Sequence, residues 1–281
     1  MIYLWALGSA VLYGAADFTG GLATRRASTI PIVLLSQLSG LVSLLLLLPL
    51  LEAATPTRLD MVWGVVAGLT GGVGVALLYR ALAIGTMAVV APTTAVCAVT
   101  IPVVVSVFLG ERPAPLAVLG IVLGVVSIVL VSKQTAPEGG DSSRYSKGVG
   151  TALASGVAIG FFFLALAQTR TEAGMWPLVA SRSLSVLLFG VAAIAGRSAI
   201  RMPMPVLGLA VLCGFIDMLA NALYLVAARV GPLSIVVTLS SLYPASTVLL
   251  ARVVLGERLN LWQVSGVGCA LAAVVLIVGG S

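Results

Sequence analysis

The chain has 281 residues, of which 60% are hydrophobic and 9% are charged; its formal net charge is +6 and it contains no His. Since about a quarter of the residues of a soluble domain are charged, this composition excludes a water-soluble globule. The absence of His excludes His-based zinc sites and His-dependent catalytic groups, and the dispersed basic residues argue against nucleic-acid binding. We therefore expect an all-α membrane protein that is not an enzyme.

Ten apolar stretches follow one another along the chain, each of about the 17 to 25 residues that a transmembrane helix needs. The first is not preceded by Lys or Arg, and we interpret it as a retained span and not as a cleaved signal peptide. Runs such as VSLLLLLPLL do not alternate in polarity, which excludes a β-barrel. The predicted helices lie at approximately Ile2–Leu22, Ile30–Leu51, Met61–Ile84, Ala88–Leu109, Leu116–Ser132, Val149–Gln168, Trp176–Gly196, Pro205–Val230, Leu233–Leu255 and Trp262–Val278.

An internal repeat divides the chain into halves. The motif LGER occurs at Leu109–Arg112 and again 146 residues later at Leu255–Arg258, and a polar segment separates the two sets of five stretches. We predict a first five-helix repeat at 1–132, a linker at 133–147 and a second repeat at 148–281. Because each half has an odd number of spans, five, the two halves would enter the membrane from opposite sides. Such inverted repeats are the architecture of alternating-access transporters. The same offset aligns Ser9 with Ser155, Gly14 with Gly160, Pro31 with Pro177, Ser39 with Ser185 and Gly68 with Gly214.

Each half closes with LGER and then a Gly-containing apolar helix, PLAVLGIVLGVVSIVLV or LWQVSGVGCALAAVVLIVG. Together with the opening GAADFTGG, this arrangement resembles the EamA family of the drug/metabolite transporter superfamily. The resemblance covers nearly the whole chain and implies a ten-helix bundle with a central cavity, located in the bacterial inner membrane and often acting as an exporter. It implies no particular substrate, because members carry amino acids, sugars, nucleotides, vitamins and drugs.

Five ionisable residues lie inside the predicted spans. Each costs roughly 2.5–3.5 kcal/mol at a helix centre, so such residues normally face protein or a water-filled cavity. At the equivalent positions of the other repeat the chain has no charge, which is what specialisation of one site in a duplicated scaffold would produce. The five residues are Asp17, Arg80, Arg182, Asp217 and Arg252.

Depth in the membrane predicts which of these charges can meet. With a rise of about 1.5 Å per residue, Arg182 can reach Asp217, and Asp17 lies near the depth of Arg80. Both pairs could be structural salt bridges, and for Arg80 and Arg252, near span ends, snorkelling to the interface is the simpler explanation.

One face of the eighth span carries Asp217, Asn221 and Tyr224 at mid-membrane. We expect this face to line a cavity, with Asp217 recognising a substrate ammonium or exchanging a proton. Asp17 lies on a Gly-rich face, and two interpretations remain open: a packing seam in which Arg80 neutralises Asp17, or a functional carboxylate.

Prolines and hydroxyl side chains interrupt the fourth and ninth spans at similar positions. Thr94 and Tyr243 belong to these segments, which are candidates for cavity-lining or gating elements, with ordinary kinked packing as the competing explanation. The Glu-Arg pairs of the LGER motifs are expected only to end helices. Cys97, Cys213 and Cys269 lie in apolar stretches without CxxC spacing and are expected to be packing residues.

These observations predict a multi-pass transporter that moves a small zwitterionic or cationic, amino-acid-like metabolite by alternating access, with export as the direction. Its partners would be the substrate, membrane lipid and, as a candidate coupling ion, protons; no cofactor, metal ion, catalytic residue or nucleic acid is expected, and the protein would be a monomer or homodimer. Two alternatives remain: efflux of lipophilic cations, or a membrane scaffold or sensor subunit without transport. The excess of basic residues in the loops on the side of Arg25 would place both termini outside.

Overall fold

The computed structural model describes residues 2–50, 54–108, 114–132, 143–196, 202–230, 236, 239–240 and 242–279. Within these residues the regular structure is entirely helical, as the composition predicts. Short 3-10 turns follow α2 and precede α7. The helices, numbered in chain order, are α1 (Ile2–Thr24), α2 (Thr29–Leu47), α3 (Arg58–Ile84), α4 (Met87–Phe108), α5 (Pro115–Ser132), α6 (Ser143–Ala167), α7 (Trp176–Ala195), α8 (Met204–Val230), α9 (Tyr243–Leu255) and α10 (Leu261–Gly279).

The outer surface of the bundle is apolar, as a surface that faces lipid must be. Leu46, Phe108 and Val253 are 72%, 86% and 73% exposed, which would be costly in water. Six segments within α2, α3, α6, α7, α8 and α10 are long and apolar enough to cross a membrane, and α4, α5 and α9 contain shorter apolar helices. The chain is therefore a multi-pass membrane protein, and the count of ten crossings stays a prediction.

The ninth predicted span is not one continuous helix. Ser240 is helical, but Leu242 forms a turn and α9 begins at Tyr243 with Pro244 in its first turn. Proline has no N–H and its ring clashes with the carbonyl four residues earlier, so it favours a helix start here. By contrast, α4 runs through Pro92 and Pro102 without a break. The first LGER copy and residues 133–142 of the predicted linker lie outside the described residues, and α6 begins at Ser143.

The repeat is visible in individual hydrogen bonds between the halves. Thr94 Oγ1 donates to the carbonyl of Ala152 at 3.2 Å, and Ser240 Oγ donates to the carbonyl of Ala6 at 3.4 Å. Both donors and both acceptors are separated by the same 146 residues as the LGER motifs. The packing follows the same rule, since α3 lies along α6 and the equivalent α8 lies along α1. The main helix contacts are thus between the halves, and the two-repeat layout organises the core.

Glycines allow the helices of the two halves to approach closely. A Cβ on Gly68 of α3 would collide with the backbone of Ser181 in α7, and one on the equivalent Gly214 of α8 would collide with the carbonyl of Ser36 in α2. Small residues at such crossings are typical of helix packing in membranes, where close backbone contact replaces the hydrophobic effect. The second crossing sets α8 against α2, and α2 also packs on α7, so α2 lies between the two helices that carry the site.

Candidate functional site

Arg182 and Asp217 form an ion pair inside the bundle. Arg182 extends from α7 past α2 to Asp217 on α8, where its Nη2 atom donates to the carboxylate Oδ2. Its other terminal nitrogen donates to Gln37 Oε1 of α2 at 2.9 Å. Gly40 of α2 leaves room for the guanidinium, because a Cβ there would lie 3.3 Å from Arg182 Nη1. The pairing expected from depth is therefore formed, with Gln37 as a further ligand of the arginine.

Asn221 extends the polar group along α8. Its side-chain amide donates to the backbone carbonyl of Asp217 at 2.7 Å and lies 3.5 Å from the carboxylate. The ion pair is not sealed in packing, since the side chains of Arg182 and Asp217 keep 13% and 25% of their surface accessible. A partly open, hydrogen-bonded ion pair in an apolar bundle can exchange partners with a solute that carries the same charges.

Asp17 of α1 completes this group, which we name the central polar cluster. Asp17 is partly accessible, and the carbonyl of the preceding Ala16 accepts from Cys213 Sγ of α8 at 3.2 Å, one turn before Asp217. Of the two interpretations left open for Asp17, neutralisation by Arg80 finds no support: Arg80 is exposed, and no ion pair joins it to Asp17 among the described residues. Among those residues the Asp17 carboxylate also has no hydrogen-bond donor. The cluster consists of Asp17, Gln37, Arg182, Asp217 and Asn221.

Aromatic side chains border the cluster. The rings of Tyr13 and Tyr243 pack edge to face with centroids 6.4 Å apart, which joins α1 to α9 one turn from Asp17. Tyr79 of α3 lies against Gly20, and its hydroxyl is 2.9 Å from the sulfur of Cys213. Cys213 is buried, as expected of a packing residue. The sequence analysis missed Gln37 and Tyr79 because it sought uncharged polar residues only beside Asp217 and at the prolines of the fourth and ninth spans.

Two of the predicted site residues lie at the margin or outside the cluster. Tyr224 packs with Trp5 and Ala6 near the start of α1. Thr94 is buried and bonded to α6, so it joins α4 to α6 and does not reach the cluster. Among the residues that the structure describes, no group of three or more Cys, Asp and Glu could hold a metal ion.

The equivalent position in the other repeat is filled by an aromatic ring. Phe162 of α6 packs on Gly71 of α3, where a Cβ would lie 2.6 Å from the ring. The equivalents of these residues under the 146-residue offset are Ala16 of α1 and Asp217 of α8. Phe162 and Gly71 in the α3/α6 pair thus correspond to Ala16 and Asp217 in the α1/α8 pair. This exchange places a carboxylate and no aromatic ring at the α1/α8 crossing, where Ala16 itself is buried.

A charged contact joins the halves at the end of α3. Arg25 Nη2 pairs with Glu257 Oε1 at 3.1 Å and also donates to the carbonyl of Gly85 at 3.1 Å. Glu257 accepts the backbone N–H groups of Met87 and Ala88 at 3.1 and 3.0 Å, and so caps α4. Glu257 was expected only to end a helix, but that role belongs to Gly256, whose φ of 66° closes α9.

A second contact joins the halves at the start of α3. Asp60 forms a capping box with Thr57 and accepts from Arg170, whose Nη2 atom lies 3.2 Å from Asp60 Oδ2. The Arg170 backbone N–H also donates to Asp60 Oδ1 at 3.0 Å. Since α3 is 27 residues long, the two contacts lie roughly 40 Å apart along it. Both ends of the bundle are therefore tied between halves in this structure.

Comparisons with known proteins follow the two-repeat division. The model of the EamA-like transporter family matches residues 1–133 and again residues 146–279. A solved structure described only as "Crystal structure of protein" is similar over 98% of this chain and 95% of its own, with a TM-score of 0.63 and 17% sequence identity. That likeness shows a shared fold. No curated protein matches the chain.

Proposed function

Because the chain belongs to the EamA-like transporter family, whose model matches both of its halves, we propose that it moves a small zwitterionic or cationic, amino-acid-like metabolite by alternating access. The observation that supports this substrate class is the partly accessible Arg182–Asp217 pair, which α7 and α8 hold together inside the bundle. An apolar or anionic solute would gain little from such a pair. Export is the direction that the family resemblance implies.

The pair offers both charges that an amino acid needs. A guanidinium binds a carboxylate in a planar, bidentate geometry, and an aspartate binds an ammonium group. In the empty carrier Arg182 and Asp217 neutralise each other, so neither charge is left uncompensated in the membrane. A zwitterion inserted between them replaces one ion pair with two, which offsets the cost of separating the side chains.

The two contacts at the ends of α3 are suited to alternating access. Arg25 with Glu257 and Asp60 with Arg170 each connect a residue of the first half to one of the second. If the halves rock about the central polar cluster, each contact must open in turn while the other holds. Charge-assisted contacts of this kind can break and re-form in water at the membrane surface at modest cost.

Counterflow into proteoliposomes tests the proposal. Purified protein is reconstituted into liposomes loaded with an unlabelled mixture of amino acids and amines, and uptake of each labelled compound is measured. We expect at least one amino-acid-like solute to exchange, and Arg182→Met and Asp217→Asn to abolish its exchange. Arg80→Gln is the matched control because Arg80 is exposed and lies outside the central polar cluster. Exchange that persists in both cluster variants would contradict the proposed site.

The tyrosines near Asp17 also favour a second candidate, the efflux of lipophilic cations, since aromatic faces bind cations. Such a carrier would exchange cations that lack a carboxylate, and it would not discriminate between them. Counterflow restricted to solutes that carry both charges would exclude it. Liposomes in which no solute exchanges, together with a copurifying protein, would instead favour a scaffold or sensor.

A further inference from the structure

The central polar cluster does not balance its own charge. Arg182 is positive, while Asp217 and Asp17 are negative, so the three together carry a formal charge of −1. Arg182 is already engaged with Asp217 and Gln37, and among the described residues the Asp17 carboxylate has no positive partner. An uncompensated carboxylate inside a membrane is costly, and such groups are normally paired or neutralised.

The groups around Asp17 can solvate a cation but cannot neutralise the carboxylate. Tyr13 lies one turn away on α1 and packs on Tyr243 of α9, and Tyr79 of α3 packs on Gly20, about one turn after Asp17. On α8 the neighbouring groups are Cys213, whose sulfur donates to the carbonyl of Ala16 at 3.2 Å, and Asp217 one turn further along. None of these side chains brings a positive charge, and the basic residue on α3, Arg80, is exposed. The missing charge must therefore come from outside the described protein.

Resting on the proposed function, we propose that Asp17 holds a proton in the empty carrier and exchanges it for the second cationic group of a dibasic amino acid. The substrate carboxylate binds Arg182, its α-ammonium binds Asp217, and its side-chain cation takes the place of the proton on Asp17. The proton leaves to water, so one proton moves in one direction for each net monocation moved in the other. The central polar cluster together with its bound proton or bound substrate carries no net charge before or after the exchange.

Asp17 is better placed than Asp217 for this exchange. A proton on Asp217 would leave the Arg182 guanidinium without its counter-ion, whereas a proton on Asp17 removes a charge that nothing else compensates. Asp17 is also partly accessible, so a side-chain cation can reach it, and the Tyr13 and Tyr243 rings one turn away favour a cationic group.

The test compares dibasic with neutral amino acids in counterflow. Lysine, ornithine and arginine are measured against leucine and glutamine in wild type, Asp17→Asn and the control Arg80→Gln. In wild type and the control we expect dibasic amino acids to exchange at least tenfold faster than neutral ones. In Asp17→Asn the cluster is neutral without a proton, so the preference for dibasic over neutral amino acids should disappear or reverse. A thermal unfolding transition close to that of Arg80→Gln shows that the variant is folded.

A trapped pH indicator provides the second measurement. A lysine gradient imposed on weakly buffered proteoliposomes should drive protons in the opposite direction in wild type and in Arg80→Gln, but not in Asp17→Asn. Counterflow of neutral amino acids alone would overturn the assignment of Asp17 and leave the proposed function standing. Lysine exchange without proton movement would do the same, and the absence of any exchange would overturn both.

Discussion

Helix pairs α1/α8 and α3/α6 occupy equivalent places in the two repeats, but their interiors differ. Between α3 and α6, Phe162 fills the space above Gly71, and Ser155 Oγ donates to the carbonyl of Gly74 at 2.7 Å. Between α1 and α8 the equivalent of Phe162 is Ala16. Ser9, the equivalent of Ser155, is fully buried, and its hydroxyl has no hydrogen-bond partner among the described residues.

The difference is what the proposed single site in a duplicated scaffold would require. Glycine crossings and the Thr94 and Ser240 hydrogen bonds are retained in both repeats and hold the helices in place. One helix pair has a hydrogen-bonded serine and an aromatic ring at its interface, while the other has an unpartnered Ser9 hydroxyl and charged groups among the described residues. Local loss of stability of this kind is typical of functional sites.

The largest loss of stability is expected when the ion pair between α7 and α8 is broken. Asp217→Ala leaves the Arg182 guanidinium without its counter-ion, and we expect a loss of about 3 kcal/mol in the free energy of unfolding, the lower end for buried pairs because both side chains are partly accessible. Denaturant unfolding in detergent measures it.

The double variant Arg182→Met/Asp217→Leu is the control for this prediction. It removes both charges, so most of the lost stability should return although transport does not. If the double variant were as unstable as Asp217→Ala, packing and not the unpaired charge would be the cause.

Ala16→Phe would make the α1/α8 pair resemble its partner. Because Ala16 is 2% exposed, an added ring must displace its neighbours on α8, and as overpacking it should abolish counterflow and cost about 2 kcal/mol. Ala16→Ser, which adds a single oxygen, should keep measurable transport. Full activity in Ala16→Phe would mean that transport does not depend on the packing of α1 against α8 at this position.

The smallest change in stability is expected for substitutions of the two equivalent serines, Ser9 and Ser155. Ser155→Ala removes a buried hydrogen bond to Gly74 and should cost about 1 kcal/mol, whereas Ser9→Ala removes a hydroxyl without a partner and should be neutral or slightly stabilising. Thermal unfolding of the two variants under identical conditions measures the difference. Equal costs would show that Ser9 has a partner in the membrane that the described residues do not supply.

Sequence periodicity predicted the helices and the Arg182–Asp217 pair well because both depend on position along a helix axis. It left open whether Asp17 and Arg80 pair, since depth says nothing about direction around the axis. Adjacent residues of a helix point about 100° apart, and because Tyr79 faces Gly20 of α1, Arg80 must face outward. The break before α9 depends on which neighbours satisfy the carbonyls that Pro244 frees, and this is not visible in the sequence.

Glu257 has a consequence for how the protein is synthesised. Its carboxylate caps the first turn of α4, but it lies 170 residues after Met87. The ribosome therefore delivers α4 to the membrane long before the cap of this helix exists, and water or lipid headgroups must solvate the exposed N–H groups of Met87 and Ala88 in the meantime. The nascent first half cannot reach its final form until almost the entire chain has been translated, so assembly of the two repeats has to be a late and joint event.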